Sequence, residues 1–298
     1  MDVLIFRHSL SDELLMLTQL MQLASLELLG SYNSEVVRLM LDLRACVLPR
    51  IRRCIEVDEI TDGLLRAIHI LSIVGSRFHP SHGLFEHPMQ TLGITNSTGA
   101  YILDPKHQSI FRYLLRRKGG ISSVQTLGMA EIFQDIDIIS ASHTDAVPDL
   151  DLSETSRQVL RTLAARRPLA SPSLDALHID GTLKEAMLDI ITVCGIIDDF
   201  CVTSANPQHK TPPPLLLQYR NIIQHRLLRI PPGQPDCEIC RLTAMIFVYA
   251  TIWPYSSFTD PDYWNPMKTL SEDLRAALVN PTFTNGRDMK FLWWANMW

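Results

Sequence analysis

Apolar residues recur every three or four positions along most of the chain and almost never alternate one by one, a pattern that predicts helices and an all-α fold. The segment Gln108 to Ala146 carries the pattern most clearly. Ile110, Phe111, Leu114 and Leu115 fall on one helical face, and Arg112, Arg116, Arg117 and Lys118 collect toward its end. Cations in a last turn offset the partial negative charge of the exposed carbonyls there. Gly119 or Gly120 can then take the left-handed conformation that ends a helix. Asp104-Pro105 supplies an N-cap and a first-turn proline at the other end. Past the glycines, Ile132, Phe133, Ile136 and Ile139 lay a second stripe, with Asp135 and Asp137 turned away.

The same spacing predicts roughly ten helices in a multi-helix array. Ser9 or Ser11 caps a first helix whose leucines, from Leu14 to Leu29, occupy more than one face. Ser34 opens a second, with Val36, Val37, Leu39, Met40 and Leu43 inward, and Pro49 kinks or ends it. A third starts at Asp58 or Thr61 and buries Leu64, Leu65, Ile68, Leu71 and Ile73, with His69 in the core or at its edge. Asp151 with Glu154 marks a helix carrying Val159, Leu160 and Leu163, and Thr182 with Glu185 has capping-box spacing ahead of Leu183, Met187, Leu188 and Ile191. Leu215 to Leu228, the stretch from Cys237 capped by Asp236, and a helix near Thr269 complete the set. Thr203 to Pro214 (TSANPQHKTPPP) is the strongest linker signal and a subdomain boundary at 203–214, or else a surface loop.

Length and composition allow one large helical domain or two small ones. The 298 residues are 46% hydrophobic and 20% charged, which excludes wholesale disorder. A net charge of −5 argues against nonspecific nucleic-acid binding by the whole body, although a basic patch can sit within an acidic average. Six cysteines scattered from Cys46 to Cys240 read as reduced, mostly buried thiols rather than a disulfide framework. No run approaches about 18 consecutive apolar residues, so no membrane span is expected. The N-terminus lacks the features of an export signal.

Chemistry-bearing motifs are few. His79, His82 and His87 could hold a metal but lack a fixed fourth ligand. Cys237 and Cys240 form a lone CxxC that opens an apolar helix, where cysteine serves as a small core residue. Asp198-Asp199 resembles the aspartate-rich motif of helical terpene cyclases, whose carboxylates bind magnesium. Thr203 and Ser204 follow where further acidic residues would be needed, so the polar end of a helix is the plainer reading. Arg44, Arg50, Arg52 and Arg53 form a basic cluster, read as a solvated face or as a nuclear-import or anion site. Arg112, Arg116, Arg117 and Lys118 are a candidate anion or partner contact beside the plainer role of satisfying helix-end carbonyls. No GxSxG, phosphate loop or HExxH is present, and no cofactor is called for.

RYLLRRKGGISS, the acidic-aliphatic helix after it and DIDIISASHTDAVPDL together resemble the regulatory region of fungal transcription factors that carry a binuclear zinc cluster. DCEICRLTAMIFVYATIWP, TLSEDLRAAL and DMKFLWWANMW resemble later segments of that family, extending the likeness from about Leu64 onward. Two departures matter. The family's DNA-binding module needs six closely spaced cysteines, which this chain lacks, and the chain ends at Trp298 inside an apolar run where relatives usually continue, as a natural truncation or an incomplete gene model would. The resemblance therefore implies a single helical regulatory domain over 1–298, in the nucleus or else the cytoplasm, without sequence-specific DNA binding. It implies protein partners (a coregulator, a zinc-cluster factor or a second copy), an effector pocket as a compatible feature, and secondary metabolism as a pathway served. The alternatives are a helical small-molecule enzyme using Asp198 and Asp199, or a non-catalytic scaffold.

Overall fold

The computed structural model describes residues 12–30, 33–74, 104–144, 146–168, 172–175, 177, 179–203, 215–248 and 266–279. Among the described residues there are ten α-helices of eleven residues or more, one four-residue helix and no strand, as the periodicity requires. They are α1 (Glu13–Gly30), α2 (Ser34–Glu56), α3 (Asp62–Val74), α4 (Pro105–Lys118), α5 (Met129–Thr144), α6 (Glu154–Ala164), the short α7 (Pro172–Asp175), α8 (Gly181–Thr203), α9 (Leu215–Arg229), α10 (Pro235–Phe247) and α11 (Pro266–Val279). The chain divides into two compact units between Asp137 and Ile138, inside α5, with Leu150–Glu154 returning to the first. That division is not at 203–214, of which only Thr203, at the end of α8, is described.

In the first unit α1 packs on α2 and α3, and α3 packs on α4. The cap of α1 is Asp12, whose carboxylate accepts the Leu15 N–H at 3.0 Å; Ser9 and Ser11 lie outside the described residues. Asn33 caps α2. Pro49 does not end that helix, which continues to Glu56 and buries Leu43, Val47 and Ile51. Leu39, expected inward, is 50% exposed. The cap of α3 is Thr61, which accepts the Leu64 N–H at 3.0 Å. Every residue from Gly63 to Ser72 is buried, which makes α3 the central helix of this unit. Gly63 permits the close approach of α1, since a Cβ there would stand 2.5 Å from the Asp12 carboxylate.

Helix α4 is capped by Asp104, which accepts the Lys106 N–H at 2.8 Å. It ends at Gly119, left-handed at φ 113°, with the Gly120 N–H returning to the Leu115 carbonyl at 2.8 Å. Phe111, Leu114 and Leu115 are buried as the pattern requires, whereas Ile110 is 46% exposed. Phe111 and Phe133 meet edge to face at 4.9 Å between ring centroids, joining α4 to the first half of α5. Asp137, expected to face outward, is 4% exposed.

The second unit holds α6 to α11. Within it α9 packs on α8, α10 on both, and α11 on α10. The cap of α8 is Asp180, which accepts the Thr182 N–H at 2.8 Å, rather than Thr182 itself. Ile191, expected inward on that helix, is 43% exposed. Helix α10 starts at Pro235, so Asp236 falls inside its first turn instead of capping it, and α11 starts at Pro266, ahead of Thr269. Among the described residues no helix is long and apolar enough to cross a membrane.

Candidate functional site

The basic end of α4 is built against the turn that joins α2 to α3. That turn contains Asp58, a non-glycine residue at φ 57°. Arg117 Nη2 donates to Asp58 Oδ2 at 2.9 Å, and its guanidinium also lies 5.9 Å from the ring centroid of Tyr113. Lys118 Nζ donates to the Ile60 carbonyl at 2.9 Å and stands 3.3 Å from Asp62 Oδ1. Asp62 also accepts the N–H groups of Gln125 and Thr126 at 2.8 and 2.7 Å. Burial raises the pKa of Asp62, but the amides of Thr126 and Gln125 and the charge of Lys118 outweigh it, holding the carboxyl below its usual range. One carboxylate thus fastens the start of α3 to the end of α4 and to the segment after the glycine pair.

Arg112 completes the pairing. Its guanidinium lies 3.3 Å from Asp137 Oδ1, while Asp137 Oδ2 accepts the Leu150 N–H at 2.8 Å. Arg116 is exposed and donates to the Arg112 carbonyl at 3.3 Å. The four cations are therefore brought to one helix end, but Arg112, Arg117 and Lys118 each face a carboxylate of the same unit. The arrangement locks a turn, and Arg116 is the member directed to solvent. Asp58, Asp62 and Asp137 build this lock and carried no sequence signal for it, since they sit 25 to 59 residues from the cations they meet.

A second constellation lies inside the first unit. Arg66 and His69, one turn apart on α3, are both 1% exposed. Arg66 Nη2 donates to Gln22 of α1, and Arg66 Nη1 stands 3.1 Å from His69 Nδ1. Because the guanidinium can only donate, His69 Nδ1 accepts and the ring proton belongs on Nε2. Burial first, and the charge of Arg66 second, push the His69 pKa well below that of a free imidazole. The ring rests against Phe111 and Phe133, with centroids 5.8 and 5.7 Å away. It is a neutral core imidazole, as its place in the apolar pattern of the helix suggests.

In the second unit a buried charge cluster is centred on Asp189. Asp189 on α8 is fully buried and is gripped by Arg167, at 2.6 and 3.0 Å, and by Arg226 of α9. Glu185 lies 2.9 Å from Arg226 and 3.4 Å from Arg167. Hydrogen bonding to Asp189 raises the pKa of Arg167. Sequence reasoning did not single out Asp189, because its partners are 22 and 37 residues away.

Asp198 and Asp199 stand near the C-terminal end of the same helix and are exposed. The Cys194 thiol one turn earlier is pushed up to about 11, by burial and then by the charge of Asp198. No group of three His, Cys, Asp or Glu side chains among the described residues is placed to hold a metal ion. Cys240 is buried on α10 and Cys237 half-buried, while Cys46 is exposed and Cys54 and Cys194 are half-buried, so the described thiols are less enclosed than composition suggested. His79, His82 and His87 lie outside the described residues.

The class these features define is an all-helical array whose basic helix end is neutralised from within. No family model, no curated protein and no solved structure matches the chain.

Proposed function

We propose that this chain is a transcription-regulator-like protein, comparable to the regulatory region of fungal zinc-cluster factors and acting through protein contacts. The observation that carries the reading is the segment RYLLRRKGGISS together with the helix after it. The segment forms helix, left-handed glycine turn and second helix, with three of its four basic residues paired to carboxylates of the same unit, in the order of parts the resemblance implies. The scattered cysteines leave the chain without a zinc-cluster module of its own. The net charge of −5 also opposes direct binding to a phosphate backbone.

On this reading the protein works in the nucleus beside a coregulator, a zinc-cluster factor or a second copy of itself, and catalyses no reaction. An effector pocket is compatible with it. No specific observation favours a magnesium-dependent enzyme centred on Asp198 and Asp199. Deletion of the coding sequence followed by transcript profiling tests the proposal: a defined set of genes is expected to change expression, with no substrate accumulating ahead of a lost enzymatic step.

A further inference from the structure

Helix α2 has two apolar faces, and the fold uses one. Leu43, Val47 and Ile51 point inward, where α2 meets α1 and α3. On a flank of the helix beside that buried face, Leu41, Leu48 and Ile55 follow one another at seven-residue spacing, and they are 61%, 44% and 53% exposed. Seven residues are almost two helical turns, so these side chains line up in a single narrow seam. The seam is on the order of 21 Å long from first to last, at a rise of ~1.5 Å per residue. Arg44 stands between Leu41 and Leu48, and Arg52 between Leu48 and Ile55, each three or four positions from its neighbours and exposed. Neither arginine makes an ion pair among the described residues, in contrast to Arg50, which is taken up by Glu13. No carboxylate lies within the seam; Arg38 borders its N-terminal end, and Glu56, one turn beyond Arg52, borders its C-terminal end.

We infer that this seam is a docking site for an acidic amphipathic helix of a partner protein, one whose leucine-type residues lie on Leu41, Leu48 and Ile55 and whose flanking carboxylates meet Arg44 and Arg52. The charges decide between occupants. A second copy docked antiparallel about Leu48 would set Arg44 against Arg52, and a parallel copy would set each arginine against itself. Like charges facing across a seam oppose pairing. A bilayer surface calls for a broad apolar face, whereas here the other apolar face of the helix is already used by the fold. An acidic helix satisfies both the spacing and the unpaired arginines. The inference names a chemistry for the protein contacts proposed above and rests on that reading.

The test is a fluorescence anisotropy titration of the full chain with a synthetic helix of about four heptads, leucine at the seam positions and glutamate on both flanks, which keep it from pairing with itself. The expected result is saturable binding that weakens with added salt, at least about tenfold weaker binding of the same peptide with lysine flanks, and a similar loss with Arg44→Glu/Arg52→Glu. Leu41→Ser/Leu48→Ser is expected to abolish binding, and Arg44→Ala/Arg52→Ala to reduce it. Because all four positions are exposed, circular dichroism melts of these variants are expected to match the parent. Equal binding of the lysine peptide, or binding unchanged in the variants, overturns the inference. So does a dimer in sedimentation that Leu48→Ser dissolves, or binding to anionic phosphatidylserine vesicles with none to the peptide. Any of these results leaves the regulator proposal to be decided separately by transcript profiling.

Discussion

His69 stays neutral because its burial would leave a charged ring without water to solvate it, and secondly because Arg66 already places a cation beside it. In the unfolded chain the same imidazole titrates near 6.5. Its folded pKa is depressed, so below that pH the unfolded chain takes up a proton that the folded protein refuses, and stability is lost as pH falls through about 6.5. Thermal melts between pH 7.5 and 5.5 are expected to show this loss with a slope approaching ~1.4 kcal/mol per pH unit, flattened in His69→Phe. A melt independent of pH across that window would contradict the neutral assignment. Asp189 presents the opposite case, a buried charge sustained by two arginines. Asp189→Ala is expected to destabilise the protein by about 3 kcal/mol, because it leaves Arg167 and Arg226 together with no buried counter-charge, measurable as a fall in the urea midpoint. Thr61 and Asp104 were legible as caps because a cap and its amides are neighbours in sequence. Asp62, Asp137 and Asp189 were not, since each answers a cation brought near only by folding.

Helix boundaries followed the local chemistry closely where a turn demanded it. Gly119 sits at φ 113°, a conformation that costs a side chain strain whatever room surrounds it. Gly119→Ala is expected to lower stability by about 1 kcal/mol or more, with a lower melting temperature and faster hydrogen exchange at the end of α4. The faces of the helices were harder to assign. Periodicity marks an apolar position but not the neighbour that covers it, which is why Ile110 and Leu39 are exposed and Asp137 is not. Helix α2 shows the limit most plainly. Its pattern contains two interleaved stripes, one facing α1 and α3 and one facing outward, and the sequence alone merges them. Pro49 read as a kink or an end, and the helix runs through it to Glu56.

For the molecule as a whole, all-α architecture was legible because it depends only on the absence of alternation and the recurrence of a helical period. The division into two units was not, because it falls inside α5, between Asp137 and Ile138, where composition does not change. The candidate basic site was legible as a cluster, while its internal neutralisation by Asp58, Asp62 and Asp137 was not. The proposed role, regulation of transcription through protein contacts, makes a direct demand on the cell. The most direct measurement is the transcript profile of a deletion strain, complemented with the parent gene or with Arg44→Glu/Arg52→Glu. A coherent set of altered transcripts is expected, restored by the parent and not by the double variant. An unchanged profile in the deletion strain, with loss of a single small-molecule product instead, would contradict the claim.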